Sequence, residues 1–477
     1  MMPPILIMTA SPSDRTVSRT DLLYVSAVSL LFMLVGLGNG SLASWDEALY
    51  AAVSKGILQS GDWLRFNLAG EPWSDKPPGC LWATAVLFKF FGASEFTARV
   101  FSAACGALAV VVTYALGTRL FGRWTGLLGA LVLLSAKHYL RLSRFGMMDA
   151  PLVLCVVLVF YGFWRGREQG RYDLMAGAAL GAGLFVKGFA ILTVLPLFFV
   201  YGLLARDFSW IRRPTAWAGL GLAAVLALPW NLYEMTANRE SFMTDVVVKH
   251  LVTRTTQVVD GHQGNWYFYI RTMINKYHPW MLITVWSAPL FLWKALRRRD
   301  PAVALVAAWV WGYFAVITCI RTKLAWYILP LYPALSLTAA YYLARWVPET
   351  RRVTVLCVFF AAMWLHVPLS HLIHADYSPQ IKALAERTAG QLPEGAVVHL
   401  YNYHGQPEAV YYLERRATYA DTPEELERAV HQTGDKGMYL FLRDEDRAAV
   451  EPLLTRYGFE TLASEKQAAL LVRRAVR

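Results

Sequence analysis

Residues 44–79 read SWDEALYAAVSKGILQSGDWLRFNLAGEPWSDKPPG. Paired acids, Asp46 and Glu47, stand at one end, and an acid and a base, Asp75 and Lys76, stand before Pro77 and Pro78 at the other. The stretch follows the first apolar run of the chain, and charged side chains are strongly disfavoured in hydrocarbon, so it belongs at a membrane surface. Almost everything downstream is apolar helix that returns to that surface. The rest of the chain therefore reads as a scaffold for a polar site at the boundary between water and lipid.

Composition agrees. A chain of 477 residues that is 56% hydrophobic, 14% aromatic and only 17% charged describes an α-helical polytopic membrane protein better than several soluble domains. The net charge of +12 is explained by arginines in cytoplasmic loops, so no nucleic-acid partner is expected. Cys80, Cys105, Cys155, Cys319 and Cys357 are odd in number, lie in or beside apolar segments and lack metal-ligand spacing, which implies neither a disulfide framework nor a zinc site.

Apolar runs near the length that crosses about 30 Å of hydrocarbon fall at about 21–41, 97–119, 124–141, 149–165, 172–187, 188–205, 215–234, 277–296, 301–320, 324–345 and 353–372. Ser41-Leu42-Ala43 faintly resembles a signal-peptidase site, but so many runs follow that an uncleaved first span, N-terminus inside, is the better reading. The run 77–91 is short and carries Lys89, so it reads as an amphipathic helix on the outer surface. With about 11 spans, every loop on the N-terminal side carries arginines, among them Arg119, Arg123, Arg165, Arg167, Arg206, Arg212, Arg297, Arg345 and Arg351. Counting 77–91 as a further span would place most of them outside, against the positive-inside tendency. The outer face then holds the loops of about 42–96 and 235–276 and the tail 376–477, leaving 1–375 as the membrane part. Helix-like runs at 380–390, 423–433 and 447–457 and strand-like runs at 396–401, 438–442 and 468–472 make the tail a small water-soluble C-terminal α/β domain.

The charged residues of the outer face are the candidate site. Ser44-Trp45-Asp46-Glu47 fits a capping box, in which Glu47 sits at N3 and reaches back to the cap, so capping and substrate binding stand as alternatives for Glu47. Asp46 has no capping duty of its own and suits a general base, or a group that positions an acceptor amine or hydroxyl. Lys76, held by two prolines, offers a phosphate head group a point charge with three donors, although Asp75 and Lys76 also fit a plain helix start. Arg141, Arg144 and Asp149 share a short outer loop, Lys187 and Gly188 interrupt an apolar pair of spans, and His250, Arg254 and His262 lie in the large outer loop. Arg321, Lys323 and Tyr327 stand at the mouth of the tenth span. Each alone reads as a solvated or snorkelling charge. Together, beside Trp266, Tyr267 and Tyr269, they look more like a site for an anionic lipid head group than a proton relay.

In order, WDE, DKPPG, TARVFSAACGAL, GTRLFG, SRFGMMDAP, VKG, HQGNWYFYI and KLAWYILPLYPAL resemble the GT-C membrane glycosyltransferases of the protein O-mannosyltransferase type, and most closely the lipid A aminoarabinose transferases. The resemblance spans about 340 residues. It implies a GT-C-like fold and transfer of a sugar from a polyprenyl phosphate carrier, usually undecaprenyl, to lipid A, another lipid or a protein on the periplasmic face of the bacterial inner membrane. By motif, Asp46 matches the family's essential acid and Lys76 the lysine that meets the carrier phosphate. Arg254, four residues after His250, matches an arginine of the large outer loop, and Lys323 and Tyr327 match the Lys-x-x-x-Tyr-Ile-Leu-Pro segment. Two departures stand out. The family's usual Glu before Lys-Pro-Pro is Asp75, the one candidate here for a divalent metal, and the tail is shorter than in the longer members.

A sugar leaving as a lipid phosphate needs little protonation, so the main demands are cations on the phosphate and a base on the acceptor. Lys76, Arg254 and Tyr327 fit the first demand and Asp46 the second. One base and no second catalytic carboxylate favours a single displacement with inversion. The competing class is a flippase or transporter of lipid-linked sugars, which would place ionisable residues near the midplane. A non-catalytic scaffold is the third reading.

Overall fold

The computed structural model describes residues 15–474 apart from 69, 245–247, 249–252, 259–260, 370–375, 389, 394, 404–406, 435–436 and 466–467. The chain forms two compact units. Met1–Leu37, Asp75–Cys80 and Val100–Ile373 make the first, and Gly38–Ser74, Leu81–Arg99 and His374–Arg477 make the second.

The first unit is helical, as hydrocarbon requires of a backbone that must satisfy its own N–H and C=O groups. Among the described residues, five stretches are long and apolar enough to cross a membrane: Glu95–Phe121, Asp149–Gly166, Arg171–Ala205, Pro214–Ala237 and Pro301–Cys319. Helices at Arg19–Leu34, Arg123–Ser135, Met281–Arg298, Tyr332–Trp346 and Glu349–Leu369 stand at the other expected positions but are shorter or more polar. The Pro301–Cys319 helix shows how an end is set. Asp300 caps it by accepting from the N–H groups of Ala302 at 2.9 Å and Val303 at 3.2 Å, and Pro301 opens the first turn.

The Arg171–Ala205 stretch is broken in its middle. The Arg171–Lys187 helix ends at Gly188, whose φ of +60° favours a residue without a Cβ, and a 3-10 segment Gly188–Val194 leads into the helix Leu195–Ala205. A Cβ on Gly183 would lie 2.5 Å from Ile191, so the chain folds back on itself here. Helices in lipid gain little from hydrophobic transfer and depend on close packing. Accordingly Gly177 sits so near Gly219 of the Pro214–Ala237 helix that a Cβ would meet its carbonyl oxygen at 2.0 Å. Aromatic rings fill the wider gaps: Phe160 stacks on Trp309 at 3.9 Å, and the Trp309 indole N–H donates to the Pro330 carbonyl at 3.0 Å.

The second unit holds the Asp46–Ser60 helix, a short hairpin of β1 (Asn67–Leu68) with β2 (Glu71–Pro72), and a five-stranded sheet. The sheet runs β4-β3-β5-β7-β6, from β3 (Val397–Tyr401), β4 (Arg416–Ala420), β5 (Met438–Arg443), β6 (Glu460–Glu465) and β7 (Ala468–Arg473). β3 lies parallel to β4 and β5, and β7 antiparallel to β5 and β6. Successive side chains of a strand face opposite ways. Phe441, Ala468 and Leu470 therefore meet the Pro379–Thr388 and Glu408–Leu413 helices, while Leu440, Leu442, Ala469 and Leu471 meet Pro423–Thr433 and Asp444–Arg456. Within this unit the Asp46–Ser60 helix buries Ala48, Ala51 and Ala52 with Leu42, Phe88, Ala98 and Tyr411, which fixes the element that carries the paired acids.

Candidate active site

Asp46 opens its helix and Glu47 follows, but the capping box is not formed. The cap is Trp45, with a φ of +66° and no side-chain cap hydrogen bond. Glu47 is turned inward instead. Its Oε2 accepts from the Ala43 N–H at 2.7 Å, and its carboxylate pairs with Arg99, Nε to Oε1 at 2.8 Å and Nη2 to Oε2 at 3.3 Å. Arg99 also donates to the carbonyls of Asn39 at 2.9 Å and Ser41 at 2.8 Å. Both charges are almost wholly buried, Glu47 at 1% and Arg99 at 4% exposure. This pair ties the Asp46 helix to the start of the Glu95–Phe121 helix, and Glu47 is a positioning residue rather than a free ligand.

Asp46 is half-buried and takes only a long hydrogen bond, from the Tyr50 hydroxyl at 3.3 Å. No cation pairs with it among the described residues. An acid so placed retains lone pairs for a proton or a ligand donor. Sequence reasoning missed Arg99, although an arginine inside an expected span signals a buried partner.

Asp75 and Lys76 form an ion pair, Oδ2 to Nζ at 2.5 Å, with both side chains mostly buried. Gly79, two residues after the prolines' start, is needed for space: a Cβ would meet the Phe185 carbonyl oxygen at 2.6 Å. The Asp75 carboxylate faces an ammonium, and no group of three His, Cys, Asp or Glu side chains that could hold a metal occurs among the described residues.

Further residues of the first unit fall into two sets. Asp149 begins the Asp149–Gly166 helix and binds Lys187 Nζ at 2.6 Å, and that ammonium lies 6.0 Å from the centre of the Tyr327 ring. Tyr327 is held by its carbonyl, which accepts from the Tyr313 hydroxyl at 3.1 Å. The structure thus joins Asp149, Lys187 and Tyr327. Lys323 goes elsewhere. Its ammonium donates to the carbonyls of Ile317 at 3.1 Å and Thr318, ending the Pro301–Cys319 helix, and lies 5.5 Å from the Tyr269 ring centre. Burial holds its pKa below the usual lysine value. Its backbone N–H donates to the His262 carbonyl at 3.0 Å, which places His262 beside it.

Arg144 donates to the carbonyls of Phe32, Met33 and Val35 at 2.8, 2.9 and 2.8 Å, so it caps the C-terminal end of the Arg19–Leu34 helix. Arg254 starts the single turn Arg254–Thr256, and its side chain lies outside the described residues, as does His250.

Comparison with known proteins supplies the context. Residues 75–233 match the family model described as dolichyl-phosphate-mannose-protein mannosyltransferase. The undecaprenyl phosphate-alpha-4-amino-4-deoxy-L-arabinose arabinosyl transferase of Pseudomonas aeruginosa (strain UCBPP-PA14) is 29% identical over 328 residues, 66% of this chain, and the match spans 58% of that relative's length. The structure of ArnT from Cupriavidus metallidurans bound to undecaprenyl phosphate superposes with a TM-score of 0.82 at 19% identity, covering 96% of this chain and 98% of that one. The Archaeoglobus fulgidus oligosaccharyltransferase in the apo form aligns with a TM-score of 0.58 at 13% identity, over 90% of this chain and 70% of that one. The chain resembles, in sequence and in fold, the GT-C membrane glycosyltransferases of the ArnT-like, protein O-mannosyltransferase-related type.

Proposed function

We propose that this chain is an integral-membrane glycosyltransferase that moves a sugar from an undecaprenyl-type phosphate carrier to lipid A or a related envelope acceptor, on the periplasmic face of the bacterial inner membrane. Residues 1–375 supply about eleven spans with the N-terminus inside, and 376–477 form an external α/β domain. The observation that carries the reading is the contrast between adjacent acids: Glu47 is spent on Arg99 and Ala43, whereas Asp46 keeps its carboxylate open apart from one long hydroxyl bond.

In this reading an acceptor hydroxyl or amine attacks the anomeric carbon, a new bond to the sugar forms, and the sugar–phosphate bond breaks with its electron pair on the phosphate. Asp46 takes the acceptor's proton. Lys76, Arg254 and Tyr327 meet the carrier phosphate, whose charge grows as the sugar leaves, and such preorganised donors act most strongly where water is excluded. Lys323 is assigned to the helix end it caps. Among the described residues, Lys187, mostly buried and paired with Asp149, is the feature that favours a flippase.

The test is incorporation of labelled sugar from a polyprenyl phosphate donor by the purified protein, with mass spectrometry of lipid A and other envelope lipids from cells with and without it. Transfer that stops with Asp46→Asn supports the proposal. Transport of the carrier without any transfer would overturn it in favour of the flippase.

A further inference from the structure

A cavity of about 620 Å³ opens in the second unit, with Ser44, Tyr403, Glu408, Phe441, Arg443 and Asp444 in its wall. Glu408 is 1% exposed. Its Oε1 accepts from the Ser44 hydroxyl at 2.8 Å and from the Tyr403 hydroxyl at 3.3 Å, so these two side-chain donors converge on one oxygen. The other, Oε2, is buried and has no hydrogen-bond partner among the described residues. A buried acceptor left unmatched is destabilising, and a donor O–H or N–H from a ligand is what completes it.

Arg443 is not that donor. Its Nε is held by Asp446 and its Nη1 by Glu445, both at 2.9 Å, and its Nη2 donates to the Asn402 carbonyl at 3.2 Å. With that guanidinium engaged and Asp444 and Glu445 also in the wall, the cavity offers acceptors and no spare cation for an anion. Tyr403 and Phe441 pack edge to face at 5.1 Å and supply an apolar wall. Acceptors beside an aromatic wall suit a compact ring bearing several donors, which is the chemistry of a sugar.

We propose that this cavity binds a sugar through hydroxyl or amine donors, neutral or cationic and not phosphorylated on the bound ring, with Glu408 fixing it. This binding does not rest on the transferase reading.

The test uses the purified full chain in a sugar-free detergent and saturation-transfer NMR with methyl glucoside, glucosamine and glucose 6-phosphate. The first two should receive saturation and the phosphate ester should not. Glu408→Gln keeps an acceptor for Ser44 but puts a donor where Oε2 was, and should weaken binding roughly tenfold or more. Gln380→Trp, at another lining position, fills the space without altering the buried carboxylate and should also abolish the signal, which guards against a misfolded Glu408 variant. No transfer to either sugar, equal transfer to the phosphate ester, or unchanged binding in both variants overturns the proposal. If the parent binds sugar yet transfers none from a polyprenyl phosphate donor, the transferase reading fails and the pocket stands.

Discussion

Asp46 and Glu47 are neighbours of like charge whose surroundings give them opposite work. Neutralising Glu47 leaves the Arg99 guanidinium buried without its counter-charge, and breaking such a pair costs about 3–5 kcal/mol. Glu47→Gln should therefore lower the unfolding midpoint sharply, as should Arg99→Met, in a thermal melt of the purified protein; melts within about a degree of the parent's would refute the positioning role, since 1 kcal/mol already moves a midpoint by a few degrees. Asp46→Asn should do the reverse. Its loss of helix-dipole complement costs only about 0.3–1 kcal/mol, while the rate of transfer should fall roughly 10²–10⁴-fold, the usual contribution of a general base. Glu408 adds a pH signature. Burial raises its pKa above the ordinary 4.5, more than the Ser44 hydrogen bond lowers it. The folded form then binds more protons than the unfolded form in the window above 4.5, so this contribution to stability is full below that value and is lost as pH rises through the raised pKa. The melting difference between Glu408→Gln and the parent should move in the variant's favour across that window, and a difference that stays flat with pH would rule the linkage out.

At the scale of elements, some cations hold helix ends and others, Lys76 and Lys187 among them, pair with a carboxylate. A sequence does not distinguish the two, because both appear as a lone charge beside an apolar run. Arg144 and Lys323 look like phosphate ligands on paper, yet Arg144 satisfies three carbonyls at the end of the Arg19–Leu34 helix and Lys323 two at the end of Pro301–Cys319. Lys323→Met should lower stability by about 1–3 kcal/mol, the penalty for buried acceptors left unmatched, and leave affinity for undecaprenyl phosphate nearly unchanged. Lys76→Ala should weaken that affinity by about 1.5–3 kcal/mol, the worth of a hydrogen bond to a charged group; equal affinities of the two variants in a binding titration would reject the division of roles. The sheet shows the same limit of reading. β3, β5 and β7 were legible as apolar runs because they are inner strands, covered on both faces. β4 and β6 are its edges, and edge strands carry charge and break their apolar pattern, as Arg416 and the run ETLASE do.

For the whole molecule, composition and apolar runs made a helical membrane protein legible, but the side of the membrane proposed for the tail depends on whether Arg171–Ala205 crosses once or twice. Taken as a single crossing, Arg171–Ala205 would flip every later loop and put Arg206, Arg212, Arg213, Arg297, Arg298, Arg345 and Arg351 outside, against the preference of basic loops for the cytoplasm. The break at Gly188, with Gly183 packed against Ile191, supports the proposed pair of segments, under which the basic loops stay inside and 376–477 lies outside. The hydropathy of this stretch alone could not settle the parity, because Lys187 is a single charge in a long apolar run, and a lysine near a helix end can reach the interface. Alkaline phosphatase fused after Arg477 should therefore be active, and a fluorescent protein inserted after Arg299 should fold and glow. Replacing Gly188 with Ala strains the φ of +60° and should lower the yield of folded protein without changing either report, since the arginines of later loops still anchor the topology. A C-terminal fusion that fluoresces and lacks phosphatase activity would place the tail in the cytoplasm and remove the external domain from the proposed site.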